Sequence, residues 1–372
     1  MIIGILKEPS PERRVSMLAE SAIALTKKGI TVLAETGAGD KASCSDKDYT
    51  EAGVQVKDRN AIIQESDILL QINPTESDKT SFAGKILMGV YQPLFNYRLM
   101  NDLATSGTTV FSMDMLPRTT RAQSMDVLSS QANIAGYKAV LLASTLYPRY
   151  FPMLMTAAGS IKPAKVLILG AGVAGLQAIA TAKRLGSVVE VFDTRPAVKE
   201  EVMSLGAKFI EVEGAADASA AGGYAVEQTD EYKKRQQDKI AESISKADIV
   251  ITTAQIPGMK APILISEEMI NTMRKGSVII DLAAATGGNT PVTKNNEIIE
   301  HQGVTIAGNS NLAATMPYDS SKLYGKNILN FLALITTKEN NININWEDDL
   351  VIGCCITNGG EVINKRIKSL IQ

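Results

Sequence analysis

Gly170, Gly172 and Gly175 have the G-x-G-x-x-G spacing of a phosphate-binding turn. Residues 166–169 before them form a short apolar run of strand type, and residues 176–185 after them have helical periodicity. In such a turn the first glycine permits the tight bend. The second lets the backbone approach a pyrophosphate, and the third lets the helix pack on the strand. The helix start presents free N–H groups and the positive end of the peptide dipoles to the phosphates. A second apolar run, residues 188–192, ends in Asp193. A carboxylate there can accept hydrogen bonds from both hydroxyls of an adenosine ribose and repels a 2′-phosphate. The pattern therefore predicts a dinucleotide site that prefers NAD(H) to NADP(H). A glycine turn that only packs a strand-helix-strand unit is the other reading.

A second polar group lies in residues 117–137. Thr120 followed by Gln123 has the form of a capping box, which predicts a helix starting there. On that helix Met125, Leu128, Ala132 and Ala135 share an apolar face, while Gln123, Asp126 and Ser129 form a polar stripe. Such a stripe between two domains faces either water, with Gln123 a mere N3 cap, or a cleft. Arg118 can reach a phosphate or a carboxamide, or lie exposed between domains. Another glycine-rich stretch, residues 37–42, is followed by polar residues without the apolar stripe of a sheet-packed helix, and reads as a plain turn. Residues 214–223, nearly all Ala, Gly and Ser, lead to Tyr224 and a charged helical stretch at 229–239. That loop suits a mobile lid whose tyrosine stacks on or hydrogen-bonds a ligand, or an ordinary surface loop. His301, the only histidine, is followed by Gln302-Gly303 and reads as a turn residue.

These groups must be positioned by a chain of 372 residues, 45% hydrophobic and 21% charged, ordinary for a soluble protein and long enough for two domains. A net charge of −2 without a basic stretch leaves no footprint for nucleic acid. The opening residues lack a basic leader and a cleavage site and read as a first strand, so export is not expected. The longest apolar run, residues 328–336, is too short for a bilayer span of roughly 20 residues. Cys44, Cys354 and Cys355 form neither a disulfide framework nor a metal pattern, so a reducing cytoplasm and no metal are expected. Strands are expected at 2–6, 31–34, 67–72, 85–90 and 108–111, with helices at 17–28 and 94–105. From residue 166 the order is strand, helix, strand, helix (197–205), then strands at 208–212, 248–252 and 277–281. A last helix, 322–337, is too apolar for solvent and is expected to fold back onto the first domain. The expected fold class is α/β, with two Rossmann-like doubly wound domains separated by a cleft and joined by long helices. Residues 1–129 with 320–372 form one, and 130–319 the other.

Arg118-Thr119-Thr120-Arg121-Ala122-Gln123-Ser124-Met125-Asp126, Asp193-Thr194-Arg195-Pro196, Gly222-Gly223-Tyr224-Ala225 and Asp281-Leu282-Ala283-Ala284 carry a resemblance. Over essentially the whole chain the sequence resembles the NAD(H)-binding component of proton-translocating NAD(P) transhydrogenase, whose fold alanine dehydrogenase shares. The resemblance implies the first portion of a split alpha subunit of the Si-type/Re-type specific enzyme. Hydride would pass directly between NADH and NADP⁺ held on a partner subunit, coupled to proton translocation by membrane subunits. It implies that Arg118, Gln123, Asp126 and Ser129 position the dihydronicotinamide ring, its carboxamide and the nearby ribose, with Gln123 closest to the second nucleotide. Further NAD(H) contacts are implied at Thr119, Thr120, Gly170, Gly172, Val173, Gly175, Asp193, Thr194, Arg195, Gly223, Tyr224, Gln236, Ala254 and Gln255. Gln255 stands where the family usually has leucine, and Ala285 where it usually has glutamate. Implied partners are a second copy in a homodimer, an NADP(H)-binding beta subunit and the membrane-spanning second portion of the alpha subunit. The chain would lie peripherally on the cytoplasmic face of the inner membrane.

An alanine dehydrogenase-like amino-acid dehydrogenase is the alternative, and a non-catalytic NAD(H)-binding redox sensor a third reading. Reductive amination needs groups that bind the keto acid and move a proton. Arg14 matches the dehydrogenase start. Leu70-Gln71-Ile72-Asn73-Pro74 lacks the dehydrogenase lysine, Tyr91-Gln92-Pro93 its histidine, and Ala285 its aspartate. Hydride transfer between two nicotinamides needs no such groups, only two rings held in contact.

Overall fold

The computed structural model describes residues 1–73, 81–212 and 229–371. They form two compact units, Met1–Gln131 with Ala314–Gln372, and Ala132–Ala313. The first is built on an eight-stranded sheet in the order Glu361–Val362, Cys355–Asn358, Thr109–Ser112, Ile86–Gly89, Ile68–Leu70, Ile2–Ile5, Thr31–Glu35, Gln55–Lys57. Its first six strands along the chain run parallel in the doubly wound order, whereas the two C-terminal ones add antiparallel. Side-chain alternation splits the core into two layers. Ile3, Ile5, Ile68, Leu70 and Phe111 face one, where Tyr324, Ile328 and Phe331 of helix Pro317–Leu332 cover them. Leu33, Leu69, Leu87 and Val110 face the other, with Ile62 and Leu103. Strands buried on both faces read as continuous apolar runs, which is why they are visible in the sequence.

The second unit repeats the plan in seven strands, ordered Lys208–Phe209, Val188–Phe192, Lys165–Leu169, Ile249–Thr252, Val278–Asp281, Val304–Ala307, Ile298–His301. All pair in parallel except the edge strand Ile298–His301, antiparallel to Val304–Ala307. His301 therefore ends a strand, with Gln302 and Gly303 at positive φ making the turn it was expected to occupy. A separate hairpin pairs Leu154–Thr156 with Gly159–Ile161.

Several boundaries shift for local reasons. The last long helix runs over Pro317–Leu332 because Pro317 takes its first turn, where a missing N–H costs nothing. After the glycine-rich residues 37–42 comes a short helix, Asp46–Glu51, capped by Ser45 and buried only through Tyr49. Asp46 there accepts the Gly37 N–H at 2.8 Å, so the turn's amide is spent on a carboxylate. Gln55–Lys57, Arg59–Glu65 and the Ile298–Ala307 hairpin carried too little periodicity to be read.

The 117–137 stretch differs most. Thr120–Met125 is a 3-10 turn whose N-cap, Thr119, makes no side-chain cap bond, and the α-helix begins only at Val127 and runs to Leu146. Asp126 caps it instead, accepting the Ser129 N–H at 2.9 Å and the Ser129 hydroxyl at 2.6 Å. With the 3-10 turn outside the helix, the helical phase moves. Val127, Ile134, Ala139, Val140 and Ala143 are buried while Leu128 is 38% exposed. On this face Gly136 meets helix Val173–Arg184, and a Cβ there would lie 2.1 Å from the Ala174 carbonyl oxygen. In an exposed helix Gly→Ala stabilises by about 1 kcal/mol. Gly136→Ala should instead destabilise the protein by about 1–3 kcal/mol, since backbone must shift. Thermal melts decide the sign, and a gain in stability would refute the contact.

Candidate functional site

The glycine turn sits at the carboxyl end of strand Lys165–Leu169, between the strands where the order reverses, Val188–Phe192 and Ile249–Thr252. Two of its three glycines are required by the fold itself, for different reasons. Gly170 has φ +105°, and a Cβ on it would lie 2.3 Å from Thr253 Oγ1. At Gly175 a Cβ would lie 1.9 Å from the Gly170 carbonyl oxygen, so this glycine lets the helix close onto the strand. Among the described residues nothing lies within 4 Å of a Cβ on Gly172. Gly172 lies at the start of helix Val173–Arg184, next to exposed Val173, where free helix N–H groups favour an anion.

Asp193, 9% exposed, closes the turn from the side. Its Oδ2 accepts the Ala171 N–H at 2.7 Å and Arg195 Nη2 at 2.7 Å; its Oδ1 accepts Arg195 N at 2.8 Å and Nε at 2.9 Å. A buried carboxylate needs such partners, and the pair raises the pKa of Arg195. Half-buried Thr194 stands between them. Burial, with the Asp193 charge added, raises the pKa of Tyr232 at the start of helix Asp230–Ile244. Gln236 is half-buried on the same helix and makes no hydrogen bond to the other candidates among the described residues. Gly223 and Tyr224 lie outside the described residues.

Ala254 and Gln255 follow strand Ile249–Thr252 and are held by a residue that sequence reasoning missed. Asn289, fully buried, donates to the Ala254 and Pro262 carbonyls at 2.9 and 2.8 Å and accepts the Ala254 N–H at 3.2 Å. Asp281 fixes Asn289 in turn through its N–H at 2.7 Å. Gln255 is exposed and donates to the Leu282 carbonyl at 2.9 Å, so its amide ties two loops together. Ala285 is exposed in the short turn Ala284–Thr286. The only sequence signal for Asn289 was its place after Gly287-Gly288.

In the first unit, Arg118, Thr119, Thr120 and Gln123 are exposed along one short segment, and Asp126 and Ser129 are half-buried and bonded to each other. Gln123 is therefore not on one helical stripe with them. The segment is held from behind. Asn327 and Asn330 donate to the Ser124 carbonyl at 2.9 and 2.8 Å, and Arg121 forks onto Asp348 at 2.7 Å and also contacts Asp349. Arg121 keeps the pKa of Asp348 low, at about 2.

The dehydrogenase-like positions are occupied otherwise. Arg14 forks onto Glu12, with Nη2 at 2.7 Å, and reaches Gln131 at 2.8 Å. Burial raises the pKa of Glu12, but the Arg14 bonds overcome it and hold it at about 2. Asn73 donates to Glu12 at 3.1 Å. Burial puts the pKa of the Tyr91 hydroxyl well above its ordinary value, and that hydroxyl donates to the Gln71 carbonyl at 3.0 Å. Gln71 and Tyr324 bury side-chain polar atoms without partners among the described residues. Glu8 accepts the N–H groups of Ile72 and Asn73 at 2.5 and 3.0 Å, yet burial raises its pKa from 4.5 to about 8. No group of His, Cys, Asp and Glu among the described residues could hold a metal ion.

Models of the alanine dehydrogenase/PNT N-terminal and C-terminal domains match residues 4–135 and 139–365. The chain thus belongs to the alanine dehydrogenase/PNT family, on its transhydrogenase alpha-subunit branch. It is 44% identical to the first portion of the split NAD(P) transhydrogenase subunit alpha of Rickettsia prowazekii, over 99% of this chain and 97% of that one. The crystal structure of a transhydrogenase from Sinorhizobium meliloti superposes with TM-score 0.90 at 43% identity, covering 98% of this chain and 100% of that one. An L-alanine dehydrogenase structure, at 22% identity, shares the fold with TM-score 0.82 over 100% of this chain and 99% of its own.

The raised pKa of Glu8 has a defined consequence for stability. A carboxyl with a higher pKa folded than unfolded contributes stability that is complete below the unfolded value and lost as pH rises through the folded one. Glu8→Gln should therefore gain on wild type between pH 4.5 and about 8 and hold level above, by on the order of a few kcal/mol. Denaturant titrations across that range measure the difference; a difference independent of pH would contradict the assignment.

Proposed function

We propose that the chain is the NAD(H)-binding catalytic component of a proton-translocating transhydrogenase, exchanging hydride between NADH and NADP⁺ held on a partner subunit. The observation that carries the reading is the Gly170–Gly175 turn, closed against Asp193 through the Ala171 N–H. The turn would cradle the pyrophosphate at the start of helix Val173–Arg184. Asp193 would hold the adenosine ribose. Ala254, Gln255, Thr194, Gln236, Gly223 and Tyr224 would complete the binding surface. The bound nicotinamide supplies the hydride. Arg118, Thr119, Thr120 and Gln123 would orient it from the exposed segment, with Asp126 and Ser129 holding the geometry at the adjoining helix start. Proximity and orientation would supply the catalysis, because no proton transfer accompanies the hydride.

This reading is favoured over an alanine dehydrogenase by what the matching positions do. Arg14 spends its guanidinium on Glu12 and Gln131, and a buried tyrosine and two amides stand near where lysine and histidine would act. No helix among the described residues is long and apolar enough to cross a membrane. We assign the proton path and the NADP(H) site to a membrane-spanning second portion of the alpha subunit and a beta subunit. We place the chain on the cytoplasmic face of the inner membrane as a homodimer.

The isolated chain should not reduce NADP⁺ with NADH and should do so when mixed with a soluble NADP(H)-binding transhydrogenase domain. Gln123→Asn should lower the transfer rate in that mixture much more than it lowers NADH affinity. Stopped-flow absorbance beside calorimetry separates the two. A loss confined to affinity would make Gln123 a binding contact only, and rapid alanine formation from pyruvate, ammonia and NADH would favour the dehydrogenase.

A further inference from the structure

Asp193 has no free acceptor position. A carboxylate offers about four lone-pair sites, and here each oxygen accepts two donors: Oδ1 from Arg195 N and Nε, Oδ2 from Ala171 N and Arg195 Nη2. Two of these donors are backbone groups, fixed by the glycine turn and by the end of strand Val188–Phe192. The other two belong to one guanidinium, whose side chain is 20% exposed. An adenosine ribose offers two hydroxyl donors and needs two acceptor positions on this acid. The only positions that can be given up are those held by Nε and Nη2.

We propose that Arg195 is a latch on the ribose-binding acid, which nucleotide entry must open by exchanging the guanidinium for the two ribose hydroxyls. The inference rests on the NAD(H) reading above and adds a specificity-determining residue to it. The Ala171 and Arg195 N–H groups keep the carboxylate oriented throughout, so opening moves one side chain and leaves the turn in place. Arginine suits the task because its planar fork covers both carboxylate oxygens at once, which an ammonium cannot do. Once released, the guanidinium remains charged and is tethered two residues from the acid, beside the 2′ side of the ribose. There it offsets some of the repulsion that Asp193 exerts on a 2′-phosphate. Arg195 thus lowers affinity for NADH and also blunts discrimination against NADPH.

Titrating the full chain with NADH and with NADPH, with wild type and Arg195→Ala in parallel, tests this directly. Arg195→Ala should bind NADH more tightly by on the order of tenfold, as expected for removing a competing charge-assisted pair. The gain should appear largely as faster association, and the NADH-to-NADPH affinity ratio should widen. Arg195→Lys, which keeps the charge without the fork, should fall between the two and serves if the alanine variant folds poorly. In an Asp193→Asn background the effect of Arg195→Ala on NADH should shrink towards zero, which a merely structural role would not produce. If wild type binds NADH and Arg195→Ala binds it equally or more weakly, the latch is refuted while the NAD(H) site stands. If wild type does not bind NADH at all, the reading of the site falls, and the latch with it.

Discussion

A carboxylate taken out of water has to be paired, and much of the proposed dinucleotide site follows from how Asp193 is paired. Its bond to the Ala171 N–H joins the end of the second strand of the sheet to the turn after the first. The turn keeps its shape because Gly170 and Gly175 leave no room for a side chain. Thr253 packs against Gly170 and donates to the Leu169 and Gly170 carbonyls at 3.3 Å. Asn289 then fixes the next loop through Ala254. Each element of the carboxyl edge is thus referenced to its neighbour by a buried polar group, a rigid mounting for a phosphate cradle.

The first unit has the same doubly wound order and treats its corresponding edge differently. Where its strand order reverses, between Ile2–Ile5 and Ile68–Leu70, Glu8 accepts the N–H groups of Ile72 and Asn73. Crevices at such reversals are where open α/β sheets take ligands. Here the protein's own carboxyl fills the amide positions, and Glu12 beside it accepts from both Arg14 and Asn73. One plan of strands therefore gives an open glycine turn in one unit and, in the other, an edge whose amides are taken by Glu8 beside the buried side chains of Gln71 and Tyr324. Gln131 joins Arg14 to the Ser320 carbonyl, on the helix whose Asn327 and Asn330 hold the Ser124 carbonyl.

Much of this was legible in the sequence, for identifiable reasons. Strands such as Ile68–Leu70 and Val278–Asp281 are buried on both faces and therefore apolar throughout, and the glycine spacing with Asp193 encodes a backbone geometry few other residues allow. Short elements such as Gln55–Lys57 take their pairing from the sheet and carry no periodicity of their own. Thr120 and Gln123 imitate a capping box, but the helix begins where the Asp126 carboxylate accepts the Ser129 N–H and hydroxyl. The partners that hold the exposed segment, Asp348, Asn327 and Asn330, are some 200 residues away along the chain. No local pattern announces such pairs. Asn289 was missed because a lone asparagine after two glycines looks like any turn residue until its buried bonds are seen.

On the proposed reading the chain carries one dinucleotide site, at the open turn, and the edge of the first unit, whose amides Glu8 occupies, takes none. The stoichiometry of NADH binding to the full-length chain by isothermal calorimetry tests this most directly. Saturation is expected at one NADH per chain; saturation at two per chain would contradict a single site.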